Sequence, residues 1–222
     1  MAKYMIHACP QRMWYVEGYL IPSITSQNVH RDDITLWVDK DNLGCLESCM
    51  RAFESLPDDD NGTWHLQDDV VISERFKELT EKHDTGIVCG HSFHLHSDRR
   101  DATGYVPLEK MWFSFPCIRI PNKIARGCAD YFRREIVTDE QYAHWIKARR
   151  YDDTIFSIYV AFYHSREKAL NLVPNLVAHI DYLMGGTIAN DATRTEPEQY
   201  FDEPETMERV KRWIDERTMD RT

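Results

Sequence analysis

No run of about 18 apolar residues occurs in this chain, so the sequence offers no membrane-spanning helix. The N-terminus has no signal-peptide pattern and opens directly on a strand-like segment, which leads to the expectation of a cytoplasmic protein. Cysteine is present at positions 9, 45, 49, 89, 117 and 128, but no CxxC pair is among them. Without that pair, reduced thiols buried in apolar segments are a better reading than a disulfide or zinc framework. Cys45 and Cys49 are spaced for one face of a helix. A surplus of positive charge is also missing. The formal net charge is −10, which argues against broad, sequence-blind attraction to nucleic acid and leaves room only for a local basic cleft. There is no internal repeat and no low-complexity segment.

What is there is a chain of 222 residues, 42% hydrophobic and 29% charged, which is the balance of a globular protein with a real core. Eleven Tyr, nine Phe and six Trp supply large buried areas and flat platforms for sugar or base rings. The first half alternates strand and helix signals. Lys3–Ala8 reads as a strand and Arg12–Ile24 as a helix with Trp14, Tyr15, Val16, Tyr19 and Leu20 on its apolar side. Ile34–Val38 is a second strand, followed by a helix capped by Asp41 or Asn42 and running to about Leu56. A polar turn, Pro57–Gly62, leads into a third strand over residues 63–72. The helix Ser73–Lys82 and the strand Thr85–Gly90 follow.

This alternation predicts an α/β fold with a mostly parallel central sheet flanked by helices, whose ligands bind at the carboxyl ends of the strands. Pro10, Asp39 and Asp68–Asp69 each fall just after a predicted strand, so they are expected along one edge of the sheet. The second half is less regular. His91–Pro107 reads as a long polar loop, Lys110–Ile120 as an aromatic strand, and Asn122–Arg134 and Asp152–His164 as helices. Asn190–Pro204 reads as a linker to a terminal helix from about Glu205, with Met207, Val210 and Ile214 on one face. The expected organisation is one domain over residues 1–190 and a packed tail over 191–222.

The third strand carries the main chemical signal. Its sequence, Thr63-Trp-His-Leu-Gln-Asp-Asp-Val-Val-Ile72, delivers an exposed pair of adjacent carboxylates that repel one another unless a cation, ligand or water relieves them. A strand-end turn with two solvated acids is the plainer alternative. Among the histidines, His91, His94 and His96 have spacing that could converge on zinc, but with no obvious further ligand an acceptor-side loop is the better reading. Trp112, Phe113 and Phe115 are read as core rather than as a sugar platform.

Several segments, in order, resemble glycosyltransferase family 25, which has the GT-A fold and includes the lipooligosaccharide and procollagen galactosyltransferases. Met5-Ile-His-Ala-Cys-Pro-Gln-Arg12 resembles the family's opening strand and basic turn. Residues 41–53 resemble its Gly-Cys-x-x-Ser-His helix, keeping Gly44, Cys45 and Ser48 but with Cys49 in place of His. Leu66-Gln-Asp-Asp-Val70 resembles its Leu-Glu-Asp-Asp-Val, with Gln67 replacing the first acid. Pro174-Asn-Leu-Val-Ala-His179 is similar to a segment near its C-terminus. The resemblance covers roughly residues 3–185, and the shared order of the segments counts for more than any one of them. The chain is also similar to proteins encoded by bacteriophages, which implies a viral setting and the host cytoplasm.

The resemblance implies a metal-dependent glycosyltransferase that moves a sugar from a nucleoside-diphosphate sugar to a hydroxyl with inversion. Mn²⁺ or Mg²⁺ would neutralise the departing diphosphate. Asp69 and His179 are then the expected metal ligands, with Asp181 as substitute for His179. Asp68, Pro10, Arg12, Asp39 and Gly44 are the expected donor-binding residues: Arg12 for a phosphate, Asp39 for base or ribose, and Gly44 for close approach of the backbone at a helix start. Asp153, ahead of Asp152, is the expected base for the acceptor proton, helix capping being the alternative for both. The acceptor could be a modified DNA base, a polysaccharide or a protein. Arg99, Arg100, Arg119, Lys123, Arg126, Arg133 and Arg134 would line a groove for DNA. Two rival functions use the same acid pair: nucleotidyl transfer or phosphoester hydrolysis, and a nucleotide-sugar-binding module that has lost transfer, which Gln67 brings into view.

Overall fold

A computed structural model describes residues 2–91, 103–110, 113–184 and 201–219. Its centre is a seven-stranded sheet built from β1 (Lys3–Ala8), β2 (Ile34–Val38), β3 (Gly62–Gln67), β5 (Val88–Cys89), β6 (Gly104–Pro107), β7 (Cys117–Pro121) and β8 (Lys168–Asn171). A separate two-stranded ribbon pairs β4 (Val70–Ile72) with β9 (Val177–His179). The large sheet has the order β2-β1-β3-β7-β5-β8-β6. Pairings of β1 with β2, β1 with β3 and β5 with β8 are parallel, whereas β7 runs against β3 and β5, and β6 against β8. Five strands therefore point one way and two the other. The α/β class is as the sequence predicts, and the sheet is mixed.

Alternation within the strands explains the two layers of core. Tyr4, Ile6 and Ala8 of β1 enter one cluster with Tyr15, Val16, Leu20, Phe76, Val210 and Ile214. Met5 points the other way, into a cluster with Leu46, Met50, Phe53, Ile118, Ile155 and Phe156. A central strand buried on both faces needs this pattern, and β1 is central because β2 and β3 lie on either side of it. Helical residues 10–26 and the helices Phe76–Lys82 and Pro204–Met219 cover the first face. The helices Cys45–Glu54, Asn122–Tyr131 and Asp152–Tyr163 cover the second.

The expected strand over residues 63–72 is broken. Asp68 and Asp69 form a turn between β3 and β4, which belong to different sheets. The helix expected from Asp41 or Asn42 starts at Cys45, and that expected from Ser73 starts at Phe76. The strand expected over 110–120 is confined to Cys117–Pro121, because Phe113 and Phe115 fold into the core ahead of it. The part of the expected 91–107 loop that falls at Gly104–Pro107 is a strand, paired with β8. Residues 10–26 form a helical run with a wide turn at Val16–Leu20; Pro22, which has no N–H to donate back to Gly18, follows that turn.

Candidate active site

The chain passes from β1 to β2 on one side and reaches β3 on the other, so the carboxyl ends of β1 and β3 flank a topological switch point. In open α/β sheets that position leaves a crevice for ligands. Four segments meet there. The backbone N–H of Cys9, just after β1, donates to Asp68 Oδ2 at 2.7 Å. Arg12, at the end of the turn Pro10–Arg12, shares its Nη1 between Asp68 Oδ1, at 2.8 Å, and Asp69 Oδ2. Val70 pairs with His179 across the ribbon, and Ile180 N–H donates to the Asp69 carbonyl at 2.8 Å. That pairing brings His179 Nε2 to 3.1 Å from Asp69 Oδ1, while its Nδ1 lies 3.7 Å from Asp181 Oδ1. Tyr15 OH closes the arrangement on the Val70 carbonyl at 2.8 Å.

The acids are not solvated turn residues. Asp68 is 5% exposed, Asp69 4%, Arg12 8% and His179 9%. Burial opposes ionisation of Asp69, but His179 and Arg12 outweigh it and hold this carboxyl well below its ordinary range. Burial and the neighbouring charge of Asp69 push Asp68 up, against the pull of Arg12 and the Cys9 N–H. Burial also works against the charge on Arg12, and the two acids more than restore it. Adjacent carboxylates thus differ in proton affinity because only one of them faces His179.

Of the expected donor residues, Arg12 and Asp68 belong to this first group, while Asp39 and Gly44 form a second beside it, joined to it where Asp39 N–H donates to the Ala8 carbonyl at 2.9 Å. Asp39 caps the loop ahead of the Cys45–Glu54 helix, accepting from Leu43 N at 2.8 Å and Gly44 N at 2.9 Å. Gly44 has φ +91° and ψ 164°, a conformation open essentially to glycine alone. The space above it is filled: an added Cβ would stand 2.5 Å from Arg149 Cβ and 2.9 Å from the Arg149 carbonyl oxygen. Asp39 and Gly44 therefore carry structural duties at this edge. Pro10 is exposed at the start of its turn.

Asp152 and Asp153 open their helix as the sequence suggests. Asp152 is buried against the Cys45 thiol, and burial together with Asp153 raises its carboxyl to about 7. Asp153 is half-buried and accepts from Thr154 N at 2.6 Å, so the first helical turn uses part of its capacity. An acid held near neutrality suits proton transfer, and that property belongs to Asp152.

Other expectations resolve differently. Arg119 is buried on Asp84 and the Gly86 carbonyl. Lys123 pairs with Asp60, Arg126 donates to the Glu54 and Leu56 carbonyls, and Arg133 pairs with Glu47 and Glu54. Arg134 turns back on the Asp130 carbonyl. Each of these five cations has a partner within the protein; Arg99 and Arg100 lie outside the described residues. His94, His96 and Trp112 also lie outside them. His91 is buried at the end of β5, with Nδ1 3.1 Å from Ser114 Oγ and its ring 6.3 Å from that of His179. From the sequence His91 reads as a loop residue; its position directly after the expected strand Thr85–Gly90 is the signal that points to it. The same reading passes over His7 and His65, whose rings share a 2.9 Å contact on β1 and β3. Burial lowers both, His7 to about 4, so the pair is neutral.

A hard cation was tested against these groups. Asp69 Oδ1 is buried and has no aligned hydrogen-bond donor, yet His179 Nε2 stands 3.1 Å away. Two neighbouring ligands of an octahedral ion are separated by about 3 Å, so the two atoms fit as two of its six ligands. Among the described residues, no set of three or more His, Cys, Asp or Glu side chains is disposed to hold a metal alone. Ions of this class commonly take one or two protein ligands and complete their shell with substrate phosphate and water.

Fold and crevice define an α/β protein, Rossmann-like in its first half, with a buried acid pair at the switch point of its sheet. No protein-family model and no curated protein matches the chain. Among the described residues, no helix is long and apolar enough to cross a membrane.

Proposed function

We propose that this chain is a GT-A glycosyltransferase that transfers a sugar from a nucleoside-diphosphate sugar to a hydroxyl, with Mn²⁺ or Mg²⁺ accompanying the donor. One observation carries the reading: Asp68 and Asp69 are buried at the carboxyl edge, between the turn after β1 and His179. Two acids are costly to bury, and such a cluster is kept where it manages charge.

Asp69 Oδ1 and His179 Nε2 are the groups that would hold the cation. Once bound, it would offset the charge that develops on the departing diphosphate. Asp68, fixed by the Cys9 N–H, presents its carboxylate to donor hydroxyls. Asp152 or Asp153 receives the proton of the attacking hydroxyl as the anomeric bond inverts. Because the described cations once expected to form a DNA groove are committed elsewhere, a polysaccharide or protein hydroxyl is the better acceptor.

A thermal-shift panel of nucleotide sugars, with and without Mn²⁺, tests this reading. The expected result is stabilisation by one donor class that requires the metal and disappears in Asp69→Ala. Equal shifts in both proteins would remove Asp69 from the site. Stabilisation without release of nucleoside diphosphate, over a broad acceptor set, would identify a binding module. Turnover of a nucleoside triphosphate would favour nucleotidyl transfer.

A further inference from the structure

Arg12 occupies the position between the two aspartates that a cation would otherwise fill. Its Nη1 is shared by Asp68 Oδ1 and Asp69 Oδ2, and the remaining oxygen of Asp68 accepts from Cys9 N–H. Of the four carboxylate oxygens, Asp69 Oδ1 alone has no aligned donor. The guanidinium is itself incompletely satisfied, because its buried Nε has no partner.

We propose that Arg12 is an internal counter-cation which admits a divalent ion to the acid pair only together with a diphosphate. The proposal rests on the metal-and-diphosphate reading above and adds the order of binding. The two carboxylates are already matched at close range by the Arg12 guanidinium and by the facing His179 ring. A divalent ion entering alone would add two positive charges beside Arg12, in a place where water can do little to screen them. A diphosphate entering alone would add at least two negative charges beside two buried carboxylates. Entering as a pair, ion and diphosphate offset one another.

Joint entry also gives Arg12 a new partner. Its planar fork can leave the carboxylates for two phosphate oxygens, a geometry that guanidinium meets better than ammonium, and Nε gains an acceptor in the exchange. The acids released by Arg12 are then open to the ion. On this account Arg12 meets a phosphate, as its place in the sequence suggests, but only by partner exchange.

Equilibrium dialysis of the full chain, with Mn²⁺ and inorganic pyrophosphate as probes, tests the idea. Wild-type protein is expected to retain neither probe alone and to retain both when they are mixed. Arg12→Gln is expected to bind Mn²⁺ alone about tenfold more tightly than wild type or better, since both carboxylates are freed. The gain should vanish in the double variant Arg12→Gln/Asp69→Asn. Retention of Mn²⁺ alone by wild type, at the affinity seen with pyrophosphate, would overturn the proposal without needing any variant to fold. So would a gain that survives the double substitution, or failure of wild type to retain the mixture. If no nucleotide sugar binds, sugar transfer fails and these dialysis outcomes still stand on their own.

Discussion

His179 Nε2 lies 3.1 Å from Asp69 Oδ1 because the backbone pairing of β4 with β9 sets Val70 opposite His179. Replacing His179 with Gln removes the ring that faces a buried acid. We expect a stability loss of about 1–3 kcal/mol at pH 7 in urea unfolding. We also expect metal-dependent stabilisation by nucleotide sugar to disappear. An unchanged urea midpoint would show that the contact contributes nothing.

Asp152 predicts a pH dependence of definite sign. Its carboxyl rises from 3.8 to about 7 in the fold, so the folded protein favours the protonated form. The stability it contributes is complete below about pH 4 and is lost as pH rises through 7. Asp152→Asn should abolish that part of the profile, with a difference from wild type on the order of 4 kcal/mol at most. Urea unfolding between pH 4.5 and 8 measures it; parallel profiles for the two proteins would contradict the assignment.

Gly44→Ala should be poorly tolerated. Alanine at φ +91° is strained, and its Cβ would meet the backbone of Arg149 as well as its side chain. A loss of about 3 kcal/mol or more is expected. Fluorescence-monitored unfolding gives the number, and a change under ~0.5 kcal/mol would mean that the 149–151 segment moves aside freely.

Cys9 should be a slow thiol despite its place at the crevice. Burial, and then Asp68, raise it to about 11, with Arg12 only partly offsetting them. Thiolate is the reactive form, so alkylation by iodoacetamide at pH 7.5 should run about a hundredfold slower than for a free cysteine. Asp68→Asn should recover part of the difference. Labelling at the rate of a free thiol would place Cys9 in open solvent.

Much of the sheet was legible because β1 and β2 follow simple alternation and bury what alternation predicts. Less legible was the length of β3. The residues from Thr63 to Ile72 look like one apolar strand, and local pattern cannot reveal that Val70 finds a partner in β9 instead of continuing the large sheet. Short strands such as Val88–Cys89 and Lys168–Asn171 carry too few residues for a period and are fixed by their neighbours. At the site, the residue types and the shared edge were readable from strand ends. The engagement of Arg12 with both acids was not, since it depends on the path of the turn after Cys9. Nor was the use of Asp39 and Gly44 as loop supports, which requires knowing where Arg149 returns.

The Pro204–Met219 helix sets Trp213 in a stack on Trp14, with ring centroids 5.7 Å apart and planes at 6°. Trp213 also meets Tyr15 edge-on at 5.9 Å, and Tyr15 is the residue whose hydroxyl secures the Val70 carbonyl. The last helix is thus a brace behind the crevice. Clipping it, or burdening it with a bulky fusion, would slacken the support behind Val70, at a distance from the acid pair itself.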